Sequence, residues 1–296
     1  MTATLAFGPP PTSPGRATFT ALAARETRRL AGNPVFLFAV AITAWWTWAG
    51  RGTAVADIGL VNAFMAIFLG GFGMMATFWL TRSMRASDPV VGVTPVTLPA
   101  RTAALCAVAI VPFGCGCLAL IAFLHFHPAS DPVYGAFSPS ARIAVLAGQI
   151  AVPSLGGPLA GIALGRWARF PGAALVLLLV LWGWVSLVTS VPMSHPDSAP
   201  VAVLRLFAGL TFFALHSDVG GVTAWRGSPW FFLGWELALC AIAVLVALLR
   251  GAEEPLRAWV IRALVIAGAV ALVMLGLAAA GGFTHVVAVP AQEVAS

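Results

Sequence analysis

The chain has 296 residues, of which 60% are hydrophobic and only 9% charged, with a formal charge of +6, a mean hydropathy of +0.96 and a pI near 10.4. That balance excludes a soluble globular core and marks an integral membrane protein. The arginines stand at the ends of apolar runs and form no stripe, which argues against a nucleic-acid partner, and lysine is absent, so no Walker A phosphate loop exists in this chain.

Residues 1–16 are rich in Pro, Thr and Ser without periodicity and read as a flexible tail. Over residues 17–32 a helical period puts Phe19, Leu22, Ala23 and Leu30 on one side and Arg25, Arg28 and Arg29 largely opposite. This is a basic amphipathic helix suited to the membrane surface. Glu26 falls on its apolar side, where pairing with Arg29 one turn on would accommodate it. Asn33-Pro34 then ends that helix and starts the first span, about Pro34 to Ala49, which closes on the interfacial residues Trp45, Trp46 and Trp48. Thr53-Ala54-Val55-Ala56 resembles a cleavage site, but the long basic segment ahead of it and the tryptophan cluster favour a retained anchor.

The second span, Ile58 to Leu80, contains Asn62 and the close-packing Gly70, Gly71 and Gly73. A polar stretch follows, residues 81–101, edged by Arg82, Arg85 and Arg101, which places it in the cytosol. Within it Ser87 or Asp88 can cap a short helix that begins at Pro89 and ends at Gly92, making a stiff projection.

The run Asp88-Pro89-Val90-Val91-Gly92-Val93-Thr94-Pro95-Val96, with Arg101 after it, resembles the coupling segment of type-2 ABC exporter permeases. The surface helix, the Asn-Pro break and the immediate first span resemble the elbow helix of the same family. The family's acidic start to the loop is reduced here to Asp88. The resemblance implies a multi-pass protein of the cytoplasmic membrane with its N-terminus in the cytosol. It also implies docking of the loop on a separate ATPase subunit, present in two copies and holding the ATP and Mg. The permease itself would pair with a second copy or a homologous chain, and would bind no cofactor.

The third span, Thr102 to Leu124, leads to a short outer loop, and the fourth, about Ala144 to Leu164, holds Gln149, Pro153, Pro158 and the row Gly157, Gly161, Gly165, which predicts a tight helix contact. Arg166 and Arg169 mark a cytosolic turn before the fifth span, Gly172 to Val188. In the outer loop 192–228, Val201 to Leu215 is interrupted by Arg205 and reads as a re-entrant helix, for which the exporter family has a counterpart. Pro229 to Leu249 is the sixth span. Ile261 to Gly281 is a seventh apolar run, beyond the family's six, and leaves a tail at 283–296. The expected fold is an all-α polytopic membrane protein with residues 33–282 as the transmembrane domain. Twelve of the sixteen arginines then lie in the cytosol, with Arg51, Arg142, Arg205 and Arg226 outside.

Glu236 stands two turns into the sixth span, where a carboxylate is costly unless it meets a cavity or a partner. It is expected at a subunit interface or an outward vestibule, or else hydrogen-bonded to the outer loop through Arg205 or Arg226. Gln149 and Asn62, the other polar side chains within spans, suit interhelical hydrogen bonding as well as a translocation path. The histidines lie near or beyond the outer ends, Cys115 and Cys117 point to different helix faces, and Ser154 has no histidine on a neighbouring span, so neither a metal site nor a catalytic group is expected. Two other classes compete with an ATP-driven permease: a secondary transporter and a non-transporting anchor or regulatory subunit.

Overall fold

The structure, a computed structural model, describes residues 16–51, 65–86, 97–126, 138–194, 222–226, 228–280 and 284–288. In chain order the helices are α1 (Arg16–Ala31), α2 (Pro34–Ala49), α3 (Gly73–Ala86, led by a π-helical turn Ala66–Phe72), α4 (Leu98–Phe126), α5 (Pro139–Trp167), α6 (Ala173–Ser194), α7 (Pro229–Leu249) and α8 (Leu256–Ala280). Helices α4, α5, α7 and α8 are each long and apolar enough to cross a bilayer, and the chain is a helical membrane protein. The strands β1 (Val222–Arg226) and β2 (Thr284–Ala288) pair antiparallel and join the approach to α7 to the exit from α8. The bundle itself is all-α, as expected; this ribbon is a small addition to it.

Local chemistry sets the breaks. Asn33 caps α2, its Oδ1 accepting from the backbone N–H of Val35 at 2.9 Å and Phe36 at 3.3 Å, with Pro34 at the first helical position. The chain turns by 66° between α1 and α2 at this point. In α5 a π-helical turn covers Ala147–Ala151 just before Pro153. Proline has no N–H for the carbonyl four residues back, that of Gln149, and its ring crowds it, so the helix widens there.

Helix α5 is the axis of the bundle: 78% of its apolar window is buried, against 39% in α4, 28% in α7 and 11% in α8. Its glycine row lies along α3, Gly157 against the Gly70 carbonyl, Gly161 against Met74 and Thr77, and Gly165 against Thr81 and Phe78. The backbones meet with no room for a Cβ, the close approach expected of the row. Thr77 Oγ1 donates to the Pro158 carbonyl at 2.8 Å across the same seam. On the other flank, Met84, Leu105, Val152, Leu159, Ile162 and Cys240 form one core shared by α3, α4, α5 and α7.

Several contacts fix helix directions. Arg82 Nη1 donates to the Arg169 carbonyl at 2.7 Å and Arg85 Nη1 to that of Ala168 at 3.2 Å, so α3 and α5 end together. Trp167 Nε1 donates to the Val246 carbonyl at 2.8 Å and Arg250 lies over the Trp167 ring, so α7 ends there too. Gly251 packs on Leu98, which brings the start of α4 to the same place. One end of the bundle thus gathers Arg82, Arg85, Arg101, Arg166, Arg169 and Arg250. The opposite end holds Trp45, Trp48 and Arg51, whose guanidinium reaches the Phe126 ring at the end of α4.

The helices overrun the expected spans. Residues 81–86 of the expected loop continue α3 and residues 98–101 belong to α4. Expected features at 1–15, 87–96 and 201–215 lie outside the described residues, as do Asn62, Asp88, Pro89, Val90, Val91, Val93, Thr94 and Pro95.

Candidate functional site

Two places in the bundle hold the expected residues. The first is the arginine end, where α1 packs against Leu98–Val108 of α4 and touches α3. Leu30 is fully buried there in a cluster with Phe36, Ala76, Leu80 and Val108. Glu26 is buried as well and accepts from Arg29 Nη1 at 2.8 Å, the one-turn pairing that its place on the apolar face required. Arg29 Nη2 also donates to Ser83 Oγ at 2.7 Å, binding α1 to the last turn of α3. Arg25 and Arg28 point outward. Arg101 is half-buried in the first turn of α4. Helix α1 therefore grips both roots of residues 87–96, α3 on one side and α4 on the other.

The second place is the seam between α5 and α7. Glu236 is fully buried, and among the described residues neither oxygen of its carboxyl group has a hydrogen-bond partner. A Cβ on Gly148 would lie 2.9 Å from its Oε2, so the carboxylate rests on bare backbone in the π-helical turn of α5. Gln149, next in that turn, is buried too. Widened turns of this kind leave a backbone carbonyl short of its helical donor and recur at functional sites. Among the described residues Glu236 makes no ion pair, and the side chains of Arg205 and Arg226, its expected alternatives, are outside them. Glu236 faces the interior of this chain and not a lipid face.

Sequence reasoning missed Thr77, whose hydroxyl also bonds the carbonyls of its own helix, and missed Gly148 as the neighbour of Glu236. Pro153, four residues after Gln149, was the available signal for the turn that presents Gly148 to Glu236. The cysteines, all free, pack in the helices, and among the described residues no group of three potential metal ligands comes together. No family model, no curated protein and no solved structure matches this chain.

Proposed function

We propose that the chain is the membrane permease subunit of an ATP-driven exporter of the type-2 ABC class, working with a separate ATPase. The observation that supports this reading is the docking of α1 on both roots of residues 87–96, through Leu30 and the Arg29–Ser83 bond. A push on that loop is then shared by the surface helix and by α3 and α4, which lead into the core around α5. The apolar side chains of Val90, Val91 and Val93 would give a partner a knob to hold, and the arginines flanking residues 87–96 favour the cytosolic side for this end. In this reading the N-terminus is cytosolic, α2 to α8 carry the spans, and two permease chains enclose the path above two ATPase subunits.

The test is a pull-down from native membranes with this chain as bait, probed for a co-purifying Walker-motif ATPase, with Val90, Val91 and Val93 each changed to Glu. Association is expected to be lost, while the variants stay in the membrane at wild-type amounts. Association unchanged in the triple variant ends the coupling role.

A second reading, a secondary transporter, is favoured by one observation, the buried carboxyl of Glu236, which has no partner among the described residues. Transport that persists without any ATPase and stops with a protonophore would select it.

A further inference from the structure

On the outside of the bundle, between α2 and α4, runs an apolar groove of about 350 Å³ walled by Val40, Ala44, Leu69, Leu118 and Ala122. Its two hydroxyl groups are turned to their own helix, Thr43 Oγ1 donating to the Ala39 carbonyl at 2.7 Å and Thr47 Oγ1 to the Thr43 carbonyl at 2.8 Å. The wall therefore offers hydrocarbon and few hydrogen bonds, and Leu118 on its rim is 68% exposed. In a membrane such a face meets acyl chains.

At one end the groove reaches Trp48 and Phe126, and over both rings stands Arg51. Its guanidinium carbon is 2.9 Å from the Trp48 ring centre, and its Nε donates to the Trp48 carbonyl at 2.8 Å. That bond fixes the plane of the group, Arg51 is exposed, and its Nη atoms have no protein acceptor among the described residues. Trp45, Trp46 and Trp48 mark this level as the membrane interface, where lipid phosphates lie. A guanidinium held flat is well shaped for a phosphate, which it can take through two parallel bonds.

We propose that this groove is a binding site for one phospholipid, with an acyl chain lying between α2 and α4 and its phosphate on Arg51. The complementarity is twofold: a hydrocarbon wall of acyl-chain character and, at its interfacial end only, a single oriented cation. The groove shares no residue with the Arg29–Ser83 bond or with Leu30, Ala76, Leu80 and Val108, which hold α1 to α3 and to the first turns of α4, nor with Glu236, so it does not depend on how the chain is driven.

The test is lipid titration of the purified full chain in detergent, read by native mass spectrometry, with phosphatidylglycerol and with diacylglycerol of the same chains. Phosphatidylglycerol is expected to bind about tenfold more tightly than diacylglycerol, the size of effect a charge-assisted phosphate contact supplies. Arg51→Gln should bring phosphatidylglycerol down to the diacylglycerol level, with Arg51→Lys in between. Ala122→Phe, which fills the groove, should weaken both lipids. Because Arg51 is exposed, its variants are expected to fold, and unchanged phosphatidylglycerol binding in Arg51→Gln overturns the proposal. So does unchanged binding of both lipids in Ala122→Phe. A dimer that dissociates in Ala122→Phe while lipid binding stays the same would assign the groove to a second copy instead.

Discussion

Oε2 of Glu236 lies so close to the Cα of Gly148 that a Cβ there would approach it to 2.9 Å. The atom in the way is the far end of a side chain with three torsions, which can swing aside. Gly148→Ala should therefore cost less than about 1 kcal/mol, whereas Gly148→Leu, which must part α5 from α7, should cost about 1–3 kcal/mol. Thermal unfolding in detergent measures both. Glu236→Gln keeps the shape and removes the capacity for charge. If the carboxyl serves transport, that variant loses transport at an unchanged melting temperature; a fall in melting temperature with transport kept would make it a structural group.

Gly157 gives the opposite case, because a Cβ there runs into the backbone carbonyl of Gly70, which cannot rotate away. Gly157→Ala is expected to cost about 1–3 kcal/mol by forcing α3 off α5. Thr77→Val, which removes the bond to Pro158, should cost about 0.5–1.5 kcal/mol. The two sites share one seam, so the double variant should lose less than the sum of the two, a difference that a double-mutant cycle reads directly.

Helix α1 is held by its apolar contact more than by its ion pair. Leu30 has no exposed surface, and Leu30→Ala should cost about 2–5 kcal/mol. The Glu26–Arg29 pair is open to solvent on the arginine side, with Arg29 37% exposed, but Arg29→Ala leaves the buried Glu26 without its partner and removes the Ser83 bond, so it should cost about 1–3 kcal/mol, below the Leu30 variant. Limited proteolysis between α1 and α2 checks the order: Leu30→Ala should be cut faster than Arg29→Ala.

Cysteine labelling from one side of sealed vesicles, on a background lacking the four native cysteines, tests the helix directions. Ser83→Cys and Glu253→Cys should react from the same side, since Ser83 lies at the end of α3 and Gly251 packs on Leu98. Ser138→Cys, at the far end of α5, should react only from the other. Labelling of Ser83→Cys and Ser138→Cys from one side would refute the spanning of α5.

Much of the bundle was legible in the sequence because hydropathy and arginine placement act locally. Pro229–Leu249 has the expected bounds, and the Gly157 row and the Glu26–Arg29 pairing follow from helical spacing alone. The ends of α3 did not follow. Hydropathy falls after Leu80, yet Thr81 and Met84 are buried and Arg82 and Arg85 bind the carbonyls of Arg169 and Ala168 just past the end of α5, so the helix runs on. Tertiary contact decides that extension, and a windowed average cannot see it. The depth of Glu236 could be read, but its neighbour could not, since Gly148 is 88 residues away and reaches it only through the widened turn before Pro153. The β1–β2 ribbon was missed for a related reason: two five-residue strands carry little pattern until they meet.

That ribbon makes a closed ring of α7, the turn at residues 250–255, α8 and the pairing of Val222–Arg226 with Thr284–Ala288. A ring fastened at top and bottom cannot scissor open; it can only roll or tilt as a plate. With Trp167 latched to Val246 at its lower rim, such a plate would turn in step with α5 and spread a small shift at one face of the membrane across the whole height of the protein.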